Sequence, residues 1–276
     1  MIVDAHVHLF PPRIAAARAD YLERDAWFRR LYSRPRTRIG SVEELLSSMD
    51  SSGIERSVVA GFPWASQELC ELHNTFSAQL PRDRLIVLCT VQPRAGQRAM
   101  DELARCLDAG FAGLGELNPD AQGFGLDEAD VLGPLIDLLK AARAPLLLHC
   151  SEPVGHIYPG KGHTTPDKVY PFALANRELT LVAAHWGGGL PFYYLMPEVG
   201  PALPNLYFDS AASDYLYDQR VFPTAASLVG ASRVLFGSDY PLIPQERALR
   251  YARAAGLQAG VEAAFRGGNA LAIYGR

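Results

Sequence analysis

Short apolar runs rich in Val, Ile and Leu recur along the whole chain, and stretches with the spacing of amphipathic helices separate them. Strands are expected at 2–9, 56–62, 84–92, 112–117, 145–150, 179–186, 205–210 and 233–240. Between the first two, SVEELLSSMDSSG reads as a helix: Ser41 and Glu44 form a capping box, Val42, Leu45, Leu46 and Met49 share a face, and Gly53 ends it. Residues 97–110 and 127–143 have the same character, with Pro134 marking an irregular start in the second. Eight strands alternating with helices in 276 residues predict an α/β protein, a (β/α)8 TIM barrel forming one domain over 1–276. The rival doubly wound sheet normally carries a glycine-rich turn after its first strand, whereas LFPPRIAAARAD follows here.

The first strand departs from the apolar rule. In MIVDAHVHLF a period of two puts Asp4, His6 and His8 on one face and Val3, Ala5 and Val7 on the other. Burying that polar row without partners would cost roughly 2–7 kcal/mol per group. The other unusual residues also fall at strand ends: Glu116 on the fourth, His149 on the fifth, His185 on the sixth and Asp239 on the eighth. In a parallel barrel these ends meet at one face, where the active sites of this fold lie. A lone strand histidine is usually a hydrogen-bonded core residue, but here four of the seven histidines converge with two carboxylates. Imidazole nitrogens with carboxylate oxygens make a ligand set for a divalent transition metal, zinc above all. Asp4 lies one step deeper than His6 and is expected to hold a supporting hydrogen bond.

Composition narrows the class. A net charge of −4 offers no broad basic surface for nucleic acid or an anionic membrane. Cys70, Cys89, Cys106 and Cys150 have no CxxC spacing and sit in apolar segments, as free buried thiols of a cytoplasmic protein would. No stretch has the length of a membrane span or the layout of a signal peptide. Lysine occurs only at 140, 161 and 168, against 23 arginines, so lysine chemistry has few candidates.

The motifs DAHVHL, LLLHC, AAHWGG and FGSDYP, in that order, resemble the amidohydrolase superfamily. They are most similar to the amidohydrolase-related (amidohydrolase 2) branch that includes aminocarboxymuconate-semialdehyde decarboxylase. The resemblance covers essentially the whole chain, through GIERSVVAGFPW to GNALAIYG. It implies that His6, His8, His149 and Asp239 bind metal and that His185 sits beside the reacting group. Dinuclear members often bridge two ions with a carboxylated strand-four lysine, but here Glu116 stands at that place, as in members resembling TatD-type deoxyribonucleases. Glu116 is therefore a further candidate ligand or a salt-bridge partner in the barrel mouth, and one or two ions fit the pattern.

A metal lowers the pKa of its bound water from 15.7 to about 7. Asp239 would take and return the proton, and His185 would steady a developing oxyanion. The loop SEPVGHIYPGKGHTTPDK supplies Glu152, His156 and Lys161 as substrate-pocket candidates, with Lys161 pairing a carboxylate, or else it is a solvated loop. Trp64 after the second strand is a pocket wall or a core residue, and Gly187–Gly189 make a turn that serves the site. Residues 10–40 carry eight arginines against Asp20, Glu23 and Asp25; this first loop is a lid drawing an anionic substrate, a solvated surface, or a homodimer contact. The expected activity is metal-dependent hydrolysis of an amide, lactone or related carbonyl in a small carboxylated molecule. The alternative is non-oxidative decarboxylation, disfavoured because no strand-end motif supplies an arginine for a leaving carboxylate. A nuclease would need a basic phosphate-binding face, which the charge argues against.

Overall fold

A computed structural model describes residues 1–275. Its eight strands are β1 (Val3–His8), β2 (Arg56–Ala60), β3 (Leu85–Val87), β4 (Leu114–Leu117), β5 (Leu146–Leu148), β6 (Leu181–Ala183), β7 (Leu206–Asp209) and β8 (Val234–Leu235). All paired neighbours run parallel, from β1 to β3 and from β4 to β8. Two seams close the ring. Ala5 N donates to Phe236 O (2.7 Å) and Asp239 N to His6 O (2.9 Å) on one side, and Cys89 N donates to Gly113 O (2.8 Å) on the other. The result is the expected (β/α)8 barrel.

Val3 and Ala5 pack with Val58, Ala60, Ile86, Leu88, Leu147, Val182 and Leu235 in the barrel interior, and Ala270, Ile273 and Tyr274 of helix Asn269–Tyr274 join them. Residues from the opposite strand faces, among them Val7, Val59, Val87 and Phe208, pack under the outer helices against Leu45, Met49, Leu103 and Leu139. The capping box at Ser41–Glu44 is present and Gly53 closes its helix at φ 70°. The helices at Gln97–Asp108 and Ala129–Ala142 also match expectation, Pro134 lying inside the first turns of the latter. Among the described residues no helix is long and apolar enough to cross a membrane.

Two expectations change. The polar row of β1 is not one face: Asp4 pairs with Ser57 but Val7 with Val59, so β1 holds one extra residue between them. That bulge reverses the alternation. Asp4 turns outward toward Gln245 of helix Gln245–Ala254, while His6 and His8 stay inside the barrel mouth. The first loop, in turn, is largely helical, with segments Pro12–Ala16, Arg18–Arg24 and Ala26–Tyr32. Tyr21, Trp27, Phe28 and Tyr32 bury against Phe10, Phe62 and Trp64 as a third apolar cluster. Asp25 fastens it by capping Phe28 N (2.7 Å) and accepting from Ala65 N just past β2 (2.9 Å).

Candidate active site

The strands end earlier than the apolar pattern suggests, and the reason is the site. His149, His185 and Asp239 stand one, two and four residues beyond the ends of β5, β6 and β8, where the chain is free to aim them inward. His185 (φ 55°) and Asp239 (φ 70°) adopt left-handed backbone, an arrangement typical of functional positions. Around His185 the turn continues left-handed through Gly189, and a Cβ on Gly188 would stand 2.1 Å from Ser151 O. The glycines therefore let the turn after β6 lie against the backbone after β5.

Six predicted residues come together, all buried. His6 Nε2 lies 3.2 Å from His8 Nε2, 4.0 Å from Asp239 Oδ1 and 3.9 Å from Glu116 Oε1. His8 Nε2 is 3.8 Å from Asp239 Oδ1 and 3.6 Å from Glu116 Oε2, and His185 Nε2 is 3.6 Å from Glu116 Oε1. His149 Nδ1 is 2.8 Å from Glu116 Oε1, and its Nε2 faces Gly160 O at 3.0 Å.

The far side of three rings fixes their chemistry. Nδ1 of His6 bonds Asp209 Oδ2 (2.8 Å), Nδ1 of His8 the carbonyl of Ala60 (3.2 Å), and Nδ1 of His185 the carbonyl of Ala211 (3.1 Å). These acceptors hold the proton on Nδ1 and leave each Nε2 lone pair aimed at the cluster, the usual support for a metal-binding imidazole. Asp209 also accepts from the backbone N–H of His185 and Ala211, both at 3.0 Å. Sequence reasoning missed Asp209. It ends the seventh strand in FDS, so the strand-end argument that found the other residues applies to it as well.

The donor set fits a divalent cation. Two Nε2 lone pairs 3.2 Å apart repel unless a cation or proton lies between them. The carboxylate charges of the cluster also favour protons on the rings. Burial opposes a charged His6 ring, but Asp209 and Glu116 outweigh it and push its pKa up to about 9. Burial likewise opposes charge on His185, yet the Glu116 carboxylate 3.6 Å from its Nε2 and the Asp239 charge push it up to about 10. Burial and the neighbouring His6 push His8 down to about 4. Burial pushes Asp239 up to about 6 against the pull of His185 and His6, whereas for Glu116 the histidine charges overcome burial and hold it well below the usual carboxylate range. His6, His8 and Asp239 form one compact trio, and His6, Glu116 and His185 another.

Above the cluster opens a cavity of about 580 Å³. His8, Glu116, His149, His185 and Asp239 face it, Trp27, Tyr32, Phe62, Tyr158 and Tyr215 wall it, and Arg34, Arg36 and Arg38 of the first loop edge it. Arg18 ties that edge down by donating to the carbonyls of Tyr32, Arg34 and Thr37.

The remaining candidates lie around this cavity rather than in it. Trp64 is fully buried behind Phe62, its Nε1 donating to His73 Nδ1 (3.1 Å). Lys161 Nζ donates to the carbonyls of Val154 (2.5 Å) and His156 (3.2 Å), so its charge folds its own loop. The His156 ring is exposed and packs on Tyr158 and Tyr215, and Glu152 accepts from the Tyr158 hydroxyl (2.7 Å). Cys70, Cys89, Cys106 and Cys150 are free and buried, as expected.

A parallel barrel with buried histidines and carboxylates converging at its C-terminal mouth defines an enzyme of the amidohydrolase superfamily. The Amidohydrolase family (amidohydrolase 2) matches residues 3–276, and the chain belongs to it. No curated protein matches the sequence. Among solved structures, the fold is similar to 5-carboxyvanillate decarboxylase from Sphingomonas paucimobilis, with 18% identity over 99% of this chain and 98% of that one and a TM-score of 0.77. It is also similar to 2,6-dihydroxybenzoate decarboxylase from Rhizobium (19% identity, 99% and 98% covered, TM-score 0.72). A third is dihydroxybenzoic acid decarboxylase from Polaromonas, which holds manganese and the inhibitor 2-nitroresorcinol (19% identity, 99% and 96% covered, TM-score 0.71). Manganese, not the expected zinc, is the metal named there.

Proposed function

We propose that this protein is a metal-dependent, non-oxidative decarboxylase of a small aromatic carboxylic acid. The observation that carries the reading is the cavity over the histidine–carboxylate cluster, with flat aromatic walls and an edge of Arg34, Arg36 and Arg38. The sequence argument for hydrolysis rested on the lack of an arginine at any strand end, on first-loop arginines with nothing to fix them, and on repulsion of a carboxylate by Glu116 and Glu152. Arg34, Arg36 and Arg38 reach the cavity from the first loop, where Arg18 fixes their backbone, so the arginine part of that argument falls. The similar folds of decarboxylases point the same way.

His6, His8 and Asp239, with Glu116 facing them, would hold a divalent manganese or zinc ion. When bound, the ion supplies Lewis acidity that draws electron density toward the acid's oxygen atoms. Arg34 and Arg36 attract the anion, Arg38 being paired with Glu44 (3.1 Å), and the aromatic walls strip its water, which favours passage from a localised carboxylate to dispersed charge. His185 and Glu116 border the reacting end. Asp239 carries the proton: as the bond to the carboxyl carbon breaks, its electron pair stays on the ring carbon and takes that proton. Neutral CO2 leaves, and water returns a proton to Asp239.

The test is a substrate panel of hydroxybenzoic and enoic acids alongside lactones and amides, with CO2 and hydrolysis products both measured. CO2 release from an aromatic acid is expected. Lactone or amide turnover without any CO2 release would establish hydrolysis instead.

A further inference from the structure

The histidines of the cluster are not all oriented from the same place. His6, His8 and His185 are fixed from behind by barrel groups: Asp209, the Ala60 carbonyl and the Ala211 carbonyl. His149 is held differently. Its Nδ1 meets Glu116 Oε1 at 2.8 Å, its Nε2 meets the carbonyl of Gly160 at 3.0 Å, and its ring lies edge-on to Trp27 at 6.1 Å. Glu116 is part of the cluster itself. The other two contacts come from outside the barrel, Gly160 from the loop after β5 and Trp27 from the first loop.

One residue joins those two elements. Arg30 follows Trp27 by one turn of helix Ala26–Tyr32 and sets its guanidinium 4.8 Å from the centre of the Trp27 ring. From its edge, Nη2 donates to the carbonyl of Lys161 at 2.8 Å. A planar guanidinium can stack by its face and still donate in its plane, which lysine cannot do. Among the described residues this is the only hydrogen bond between residues 10–40 and the loop after β5. Lys161 adjoins Gly160, so the bond holds the carbonyl that faces His149. The loop tip moves as a unit with it: the Lys161 amide donates to Tyr158 O at 3.1 Å, and Lys161 Nζ donates to the carbonyls of Val154 and His156. The base of the loop is fastened separately, by Ser151 Oγ accepting from Gly162 N and by Asp120 accepting from the amides of His163 and Thr164.

We propose that Arg30 is a positioning residue for His149. By clasping the first loop to the loop after β5, it keeps Trp27 and the Gly160 carbonyl against two sides of the ring. Through the ring it steadies Glu116, whose oxygens lie 3.6 Å from Nε2 of both His8 and His185. The inference rests on this cluster being the active site, but not on which bond is broken there.

The test reads the ring itself. Protein carrying 15N-histidine is loaded with zinc, which is diamagnetic, and the ring signals of His149 are identified by their loss in His149→Gln. Arg30→Met keeps an apolar stem without the N–H donors. Arg29→Met is the control, since Arg29 sits on the same helix but donates to the carbonyl of Leu22. Arg30→Met should shift the His149 ring signals and leave those of His6, His8 and His185 in place. It should also speed exchange of the Lys161 amide about fivefold, as expected for loss of one hydrogen bond. Arg29→Met should do neither. Unmoved His149 signals in Arg30→Met, equal shifts at all four rings, or the same changes in Arg29→Met overturn the inference. No substrate enters these measurements, so a protein that releases no CO2 can still sustain the assignment, and a working decarboxylase can still fail it.

Discussion

Asp209→Asn isolates the way the site prepares its ligands. The change is nearly isosteric and touches no cavity-facing atom. Asp209 Oδ1 accepts from two backbone donors, His185 N and Ala211 N, while Oδ2 accepts from His6 Nδ1 at 2.8 Å. An asparagine must keep its oxygen toward the two backbone N–H groups, so its NH2 faces His6. His6 Nδ1 then has to accept, and the ring proton moves to Nε2. There it can donate to His8 Nε2, 3.2 Å away, which ties up both metal-binding lone pairs at once. Loss of such a supporting partner typically lowers metal affinity by about 10–100-fold. That corresponds to about 1.4–2.8 kcal/mol. Competition against a chromogenic chelator, with circular dichroism to check folding, measures it for manganese and zinc in turn. A folded Asp209→Asn protein with wild-type affinity for both ions would refute the tautomer argument.

Other outcomes follow from the same geometry. Chelator treatment should abolish activity while leaving the barrel folded, and manganese or zinc should restore it; activity that persists in protein shown to be metal-free would rule out the assigned centre. Asp239→Asn should keep the fold and lower kcat by about 10²–10⁴, the usual worth of a proton-transfer group, as steady-state kinetics will show. Asp4→Ala strands the donors of His6 N, Ser238 N and Ser238 Oγ and leaves Gln245 Nε2 only Ser57 Oγ as a partner. At about 1–3 kcal/mol for a buried unsatisfied group, a loss of about 3 kcal/mol or more is expected. Thermal melts should show a fall in Tm of about 6–12 °C. Arg18→Ala releases the carbonyls of Tyr32, Arg34 and Thr37, so KM for an anionic substrate should rise about tenfold with kcat nearly unchanged. A matching fall in kcat would mean that the segment also shapes the metal cluster.

How much of this was legible in the sequence depended on whether the signal was periodic. The barrel and the converging strand ends follow from alternating apolar runs, which depend on local spacing alone. His6, His8, Glu116, His149, His185 and Asp239 were found that way and do meet. The β1 bulge was not legible, because an extra residue leaves no mark in composition; Asp4 looked like part of the histidine face and instead ties β1 to Ser238 and Gln245. For Trp64 the sequence left a pocket wall and a core residue both open, since nothing local reveals that Phe62 stands in front of it.

The arginines carry the broader lesson, because the proposed choice between two reactions leans on them. Judged by strand ends alone, the site has carboxylates and no guanidinium, and hydrolysis looks better matched. That test assumes that only strand ends reach the cavity. The first loop contradicts the assumption by folding onto the mouth through an apolar core of Tyr21, Trp27, Phe28 and Tyr32, buried against Phe10, Phe62 and Trp64. Burial of those rings brings the next residues, 34 to 38, to the cavity edge, and Arg18 holds their backbone there. A segment expected to be a lid, a solvated surface or a homodimer contact is thus positioned by its aromatics, and its charges fall at the cavity edge. Substrate selection in this barrel is therefore expected to vary with residues 10–40 while the metal cluster stays the same. Exchanging Arg34 and Arg36 together for glutamine should weaken anionic ligands by at least tenfold and leave metal affinity untouched, and equal weakening of neutral ligands would show that the edge acts through shape and not charge.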